Sequence, residues 1–397
     1  MKRGIGILAG VLGVAMVFLA GCSSGAPKTV NIGFIGPLTG DYANYGKLMT
    51  QAIEMAVDER NAAGGIGGHK VDLIAEDDEG KVDKANAAIE KLASVNHILG
   101  LVGAVFSSSS IAIAPKAQAE KIVMISPSST QKDLTSLGNY IFRDVASDGL
   151  QSEVFGRYVA QVMKLKRVAI LYIKNDYSQG LADSFKAVYE ANGGKVVDME
   201  TGLQGDKDFK TQLTKIKATN PDAIYLPDYV AEIAQILAQA KSLGIKAKML
   251  SSDGFSNPEI LTLAGTNANG VVFSGPERIA KSAKTAAFEQ KYKDKWNEGP
   301  DEFSLNSYDA ANLIMDGIQT AYDQASPADK KSLNLNRDLI RDSVAKTKDY
   351  QGVSGTITFS STNGDVIKNI GISTVVDQQY KQLEAYTVKD GNLVKVD

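Results

Sequence analysis

Cysteine is almost missing from this chain: 397 residues hold one, Cys22, along with two histidines and a single tryptophan. Without a second cysteine an intramolecular disulfide is excluded, so stability must come from a packed core. His69 and His97 stand far apart and belong to no H-x-x-H or Cys/His pattern, so no metal site is expected. An excess of either charge is lacking too. The 43 basic residues against 46 acidic ones leave a net charge of −3, no electrostatic case for nucleic acid or an anionic lipid surface as partner. No P-loop, no G-x-S-x-G elbow and no cysteine nucleophile after Cys22 occur. Gly64-Gly65-Ile66-Gly67-Gly68 follows an expected helix and precedes an expected strand, the reverse of a dinucleotide fingerprint, and is read as a tight turn. An enzyme is disfavoured on these grounds, and no cofactor is expected.

Long apolar runs are confined to the N-terminus. Lys2 and Arg3 precede an apolar stretch from Ile5 to Ala20, and Ala20-Gly21 are small residues suited to a signal peptidase. That stretch falls short of the ~20 residues needed to span a bilayer. Polar Ser23-Ser24-Gly25 follows it, not a basic stop-transfer flank. Leu19-Ala20-Gly21-Cys22 resembles a bacterial lipoprotein signal, which implies cleavage before Cys22 and a lipid on its thiol. The alternatives are a simple secretory signal with an incidental cysteine, and a retained transmembrane anchor. The expected division is a signal peptide over 1–21 and a lipidated linker over 22–29. Loss of Lys2 and Arg3 takes 43 basic residues to 41 against 46 acidic ones, a net charge of −5.

Beyond the linker, short β-branched runs alternate with helical patterns, the grammar of an α/β fold with parallel sheets. Strands are expected at 30–35, 71–75, 98–105 and 122–125, with helices at 45–62, 82–94 and 108–120. The order begins again at Arg167. Strands are expected at 168–173, 195–199, 223–226 and 248–251, with helices at 178–191, 208–219 and 232–243. Two copies of one βα module imply two similar doubly wound, Rossmann-like lobes. About 375 residues after the leader are enough for two domains.

Aligning the repeats by strand ends matches Tyr45 with Tyr177, Ser107 with Tyr229, and Ser126–Thr130 with Ser251–Asp253. Open α/β sheets bind ligands at these carboxyl ends. Ser107 to Ser110 stand where hydroxyls and free N–H groups surround a helix N-terminus, which suits a carboxylate. Ser126-Pro127-Ser128-Ser129-Thr130 adds donors and carbonyl acceptors. Helix capping alone would explain one serine in each stretch. Asp253, in Ser251-Ser252-Asp253-Gly254-Phe255, offers a carboxylate to an ammonium group, although Asp-Gly also reads as a turn. Tyr45, Tyr177, Tyr229 and Tyr308 offer ring faces to a ligand side chain, or to the core. A carboxylate grip in one lobe and an ammonium grip in the other describe an α-amino acid.

Six stretches carry a family resemblance across nearly all of the chain after the leader. They are Ile32–Gly40, Asn61–Ile66, Ser107–Ser110, Ser126–Thr130, Asp176-Tyr177-Ser178-Gln179-Gly180 and Ser251-Ser252-Asp253-Gly254. In this order they resemble the leucine/isoleucine/valine-binding proteins, receptors of branched-chain amino-acid ABC importers with the type I periplasmic binding protein fold. The resemblance implies that Ser107 and Thr130 bind the ligand carboxylate. It also implies that the Ser128 carbonyl and the Thr130 hydroxyl hold the ammonium, beside Ser129, with Asp253 as its anionic partner. Tyr177 and Tyr229 would close from the second lobe, and Tyr45, Val105, Phe106 and Tyr308 would line the side-chain end. Two departures stand out: Asp253 is shorter than the Glu of some members, and Phe106 stands where some have a small cysteine.

The family fold implies a cleft between lobes joined by three hinge crossovers, expected at Arg143–Gly149, Ser274–Arg278 and Gln351–Gly355. The expected lobes are 30–146 with 277–353, and 147–276 with 354–397. The implied function is capture of an amino acid by clamp closure and delivery to an ABC permease with its cytoplasmic ATPases. The chain would act as a monomer, exported and held at the cell membrane by lipid on Cys22. The alternatives are a sensing receptor of the same fold for another small molecule, and an α/β enzyme.

Overall fold

The computed structural model describes residues 29–277 and 282–396; the expected signal peptide and Cys22 lie outside them. Val30, Ile32, Phe34 and Ile35 are all fully buried, so β1 (Val30–Gly36) reads as a near-continuous apolar run. That is the mark of a parallel strand covered on both faces. It is followed by α1 (Ala43–Ala62), β2 (Val71–Asp77), α2 (Val82–Ser94), β3 (Gly100–Gly103), α3 (Ser107–Ala119), β4 (Val123–Ser126) and β5 (Ile141–Arg143). The five strands form one parallel sheet in the order β2-β1-β3-β4-β5, with Ile32 opposite both Leu73 and Gly100. On α1, Leu48, Met49, Ala52, Ile53, Ala56 and Val57 recur at helical spacing and are buried.

The module then repeats, after α4 (Asp148–Arg157), as β6 (Arg167–Ile173), α5 (Asp176–Ala191), β7 (Lys195–Gly202), α6 (Lys210–Ala218), β8 (Ala223–Leu226), α7 (Val230–Ser242) and β9 (Lys248–Ser251). Next come α8 (Glu259–Leu263), β10 (Val272–Pro276), α9 (Ala283–Trp296), α10 (Glu302–Gln324), α11 (Pro327–Ser332) and α12 (Arg337–Ala345). The chain ends with β11 (Tyr350–Gln351), β12 (Thr356–Ile357), β13 (Ile370–Val376), β14 (Gln379–Lys389) and β15 (Asn392–Val396). The second sheet runs β15-β14-β13-β10-β9-β8-β6-β7. Its β7-β6-β8-β9-β10 part is parallel, and β13, β14 and β15 extend it antiparallel. Helix α10 returns to the first sheet, packing along α1 and beneath β3.

Both βα repeats stand where the sequence places them, with one correction. The expected strand 98–105 is ordered as a ladder only over Gly100–Gly103, because the Ala104 and Val105 carbonyls are taken by serine hydroxyls instead of a neighbouring strand. At the expected third crossover, the glycines and serine of Gln351–Gly355 form a turn. Gly352 N–H donates to the Gly355 carbonyl at 2.9 Å, and Asp309 accepts from Val353 and Ser354 N–H at 2.9 and 2.7 Å. The chain stays beside the first sheet well past that turn. Phe359 packs on Phe142 at 5.2 Å, and Asp365 pairs with Arg143 at 2.6 Å, before β13 joins the second sheet at Ile370. Gly64–Gly68 is the expected turn, with Gly64, Gly65, Gly67 and Gly68 all at positive φ. Among the described residues no helix is long and apolar enough to cross a membrane.

Candidate functional site

The carboxyl ends of the two parallel sheets face each other. Between them lies a cavity of about 20 Å³, lined by Tyr45, Val105, Phe106, Ser107, Ser128, Tyr177, Tyr229, Asp253, Gly254 and Phe303. That is room for about one water. A larger groove of about 660 Å³ lies among Ser256, Asp301, Gln351–Thr356 and Tyr380, and holds none of the predicted ligand-binding residues. The small cavity is the candidate site, because it unites strand-end segments of both repeats.

From the first sheet come two serine segments. Helix α3 begins at Ser107, its N-cap is Phe106, and no side chain caps it, so the N–H groups of its first turn remain for another acceptor. The serines do not act as caps; they tie the two loops together. Ser110 Oγ and Ser126 Oγ both donate to the Ala104 carbonyl, at 3.0 and 2.8 Å, and Ser110 Oγ meets Ser129 Oγ at 2.6 Å. Ser128 Oγ donates to the Val105 carbonyl at 2.8 Å.

From the second sheet comes Asp253, buried at the end of β9. Tyr177 Oη donates to its carboxylate at 2.8 Å and accepts from Gly254 N–H at 2.8 Å. Gly254 has no room for a side chain, since a Cβ there would meet the Asp228 carbonyl at 2.4 Å. Burial pushes the Asp253 carboxyl up to about 6, against partial relief from Tyr177 and Gln151. Asp228, behind it, is pushed up to about 8 by burial, opposed by the Ser178 hydroxyl.

Aromatic rings join the lobes. Phe106 stacks on Tyr229 at 4.1 Å and 15°, and Tyr229 stacks on Tyr177 at 5.0 Å and 10°. Tyr45 Oη, from α1, donates to the Gly254 carbonyl at 2.8 Å. Tyr42 Oη donates to Glu232 across the same gap.

Three predicted site residues do not line the cavity. Ser129 is one residue too deep, its hydroxyl spent on the strand-end carbonyls. Thr130 is fully buried behind it, with its carbonyl accepting from Asp148 N–H at 2.7 Å and Arg143 Nη1 at 2.9 Å. Tyr308 sits on the far side of α10, packed on Phe288 at 4.7 Å and donating to Glu59 across α1. Helical phase decides this: Phe303, five residues earlier on α10, faces the cavity instead.

Two residues escape a reading based on strand ends. Phe303 was hidden because α10 is remote in sequence from both repeats. Asp148, at the start of α4, is buried and carried up well above the usual carboxylate range, first by burial and then by the charge of Asp253. Neither of its oxygens makes a hydrogen bond of ordinary geometry, although the Thr130 hydroxyl is near enough to draw its pKa partway back. A lone acidic residue at a helix start reads as ordinary dipole compensation, so nothing in the sequence singled it out.

A family model described as periplasmic binding protein matches residues 29–379. The Leu/Ile/Val-binding protein homolog 3 of Brucella melitensis is 32% identical over 89% of this chain and 93% of its own length. The leucine-, isoleucine-, valine-, threonine-, and alanine-binding protein of Pseudomonas aeruginosa is 31% identical over 81% of this chain and 86% of its own. Among solved structures, the branched-chain amino acid transporter substrate-binding protein of Streptococcus pneumoniae, in complex with isoleucine, superposes with a TM-score of 0.80 at 30% identity, covering 93% of this chain and 100% of its own. Two facing α/β sheets, a cleft at their carboxyl ends and these likenesses lead to one conclusion: the chain belongs to the periplasmic binding protein family, with the Leu/Ile/Val-binding proteins as relatives.

Proposed function

We propose that this protein is an extracytoplasmic solute-binding protein that captures an α-amino acid, branched-chain ones among them, and delivers it to an ABC importer. One observation carries the reading. The uncapped N-terminus of α3, with Ser107, faces the buried carboxylate of Asp253 across a single cavity. An α-carboxylate suits the first and an α-ammonium the second. Asp148 lies beside Asp253 with its carboxyl held toward the neutral form, so the charge offered to the ammonium is that of Asp253. Ser107, Ser128, Tyr177 and Asp253 are the residues we assign to the ligand's polar end, and Tyr45, Val105, Phe106, Tyr229 and Phe303 to its side chain. Thr130 acts from behind, through Asp148. The site binds and does not transform its ligand.

The lobe division that fits the contacts is 30–146 with 282–366 and 147–277 with 370–396, with the third crossover at 367–369. The ligand's ends grip opposite lobes, so the closed form gains contacts the open form lacks. A membrane permease reads that closed form. Export by the 1–21 leader and lipidation of Cys22 hold the protein at the membrane.

A thermal-shift screen of the chain as exported, against the twenty amino acids, simple amides and aromatic acids, tests this. A ligand at 100 times its Kd adds about 2.7 kcal/mol. Stabilisation by valine, isoleucine or leucine is expected; stabilisation by aromatic acids or amides alone overturns the amino-acid assignment.

A further inference from the structure

Phe106 is hemmed in on every side. Tyr229 of the opposite lobe stacks on its face at 4.1 Å, while Tyr42 and Tyr45 meet it edge-on at 5.3 and 5.7 Å. Its remaining edge rests on the backbone of Gly80: a Cβ at that position would lie 2.8 Å from the ring. The Gly80 turn cannot easily retreat. Glu79 N–H donates to Asp77 at 2.9 Å and Gly80 N–H to the buried Asp78 at 2.8 Å, with Gly80 itself at φ +69°. Gln204, from the other lobe, donates to the Gly80 carbonyl at 3.3 Å. The ring has a hydrogen-bonded turn behind it and tyrosines around it at the apolar end of the cavity, and of those tyrosines Tyr229 is the one from the opposite lobe.

We propose that Phe106, backed by the Gly80 turn, is the specificity-determining residue of the cleft and restricts it to α-amino acids with short side chains, valine, threonine and alanine ahead of leucine and the aromatic amino acids. This rests on the amino-acid reading above. A long side chain must share the aromatic box with the ring and holds the lobes apart, so it forfeits the contacts of closure. A short one needs a smaller displacement of Tyr229 from Phe106, because the cavity as it stands has room for only about one water.

The test is calorimetric titration of the wild-type chain and Phe106→Ala with alanine, valine and leucine, with Phe106→Leu as a milder variant should the first fail to fold. The wild type is expected to bind valine or alanine more tightly than leucine. Either variant is expected to raise the leucine-to-valine affinity ratio about tenfold or more, the scale on which single methylenes are discriminated. A wild type that prefers leucine, or a ratio that stays within about twofold in the variants, overturns the role of Phe106 while leaving the amino-acid reading intact. If none of the three amino acids binds wild type or variant, that reading falls and this inference with it.

Discussion

Asp253 joins the chemistry of the cleft to its pH dependence. Its carboxyl is raised by burial to about 6 from an ordinary 3.8, so below pH 6 it is largely neutral and cannot pair with an ammonium group. Amino-acid affinity should therefore rise with pH up to about 6 and level off above, a profile that calorimetry between pH 4.5 and 8 reads directly. The stability of the unliganded protein runs the other way. A carboxyl with a raised folded-state pKa contributes stability that is full below 3.8 and lost as pH climbs through about 6. Asp253→Ala should weaken binding by about 2–5 kcal/mol, as when one partner of a buried charge pair is truncated, with the fold retained; unchanged affinity would remove Asp253 from the site. Asp253 was legible in the sequence because it ends a strand of an evident repeat. Asp148 was not, since its importance comes from proximity to Asp253, a residue over a hundred positions away.

At the scale of elements, the loop after β4 owes its shape to Arg143. That side chain is fully buried, donates to the Thr130 and Gln131 carbonyls at 2.9 and 2.6 Å, and pairs with Asp365 at 2.6 Å. It joins the serine loop, the end of β5 and the chain a few residues ahead of β13. Arg143→Met should destabilise the protein by about 1.5–3 kcal/mol, the scale of a lost hydrogen bond to a charged group, since Asp365 is partly exposed, measured by urea denaturation. A loss under ~1 kcal/mol would show that the loop is held by its serines alone. The serine clusters themselves were visible in the sequence, yet their division of labour was not. Ser107 and Ser128 line the cavity, Ser128 with its hydroxyl on the Val105 carbonyl, whereas Ser110, Ser126 and Ser129 lie behind, spent on the Ala104 and Val105 carbonyls. Which hydroxyl faces which way depends on where β3 stops pairing.

For the whole molecule, the closing contacts reach across the gap between lobes. Tyr42 meets Glu232, Tyr45 meets Gly254, Ser108 donates to Asp176 at 2.6 Å, and exposed Lys207 pairs with Asp41 at 2.6 Å. The Tyr42–Glu232 bond is buried on both sides and touches none of the groups assigned to the ligand's polar ends. Tyr42→Phe should weaken every amino-acid ligand alike, by about 1.5–3 kcal/mol for a hydrogen bond to a charged group, and expand the unliganded protein in small-angle scattering. A loss confined to one ligand would instead make Tyr42 part of the pocket.

The chain's own pattern was sufficient for the two βα repeats, the parallel sheets and the strand-end residues Ser107, Tyr177 and Asp253, because apolar periodicity and polar loop residues are local signals. Tertiary structure alone decided the rest. It turned Tyr308 away from the cleft and Phe303 into it, brought Asp148 beside Asp253, kept Phe359 and Asp365 beside the first sheet beyond the Gln351–Gly355 turn, and set Phe106 against Gly80 and Tyr229. Each depends on helical phase or on contacts between segments far apart in the chain, and a ring's room to move is a property of its neighbours, which no local pattern encodes.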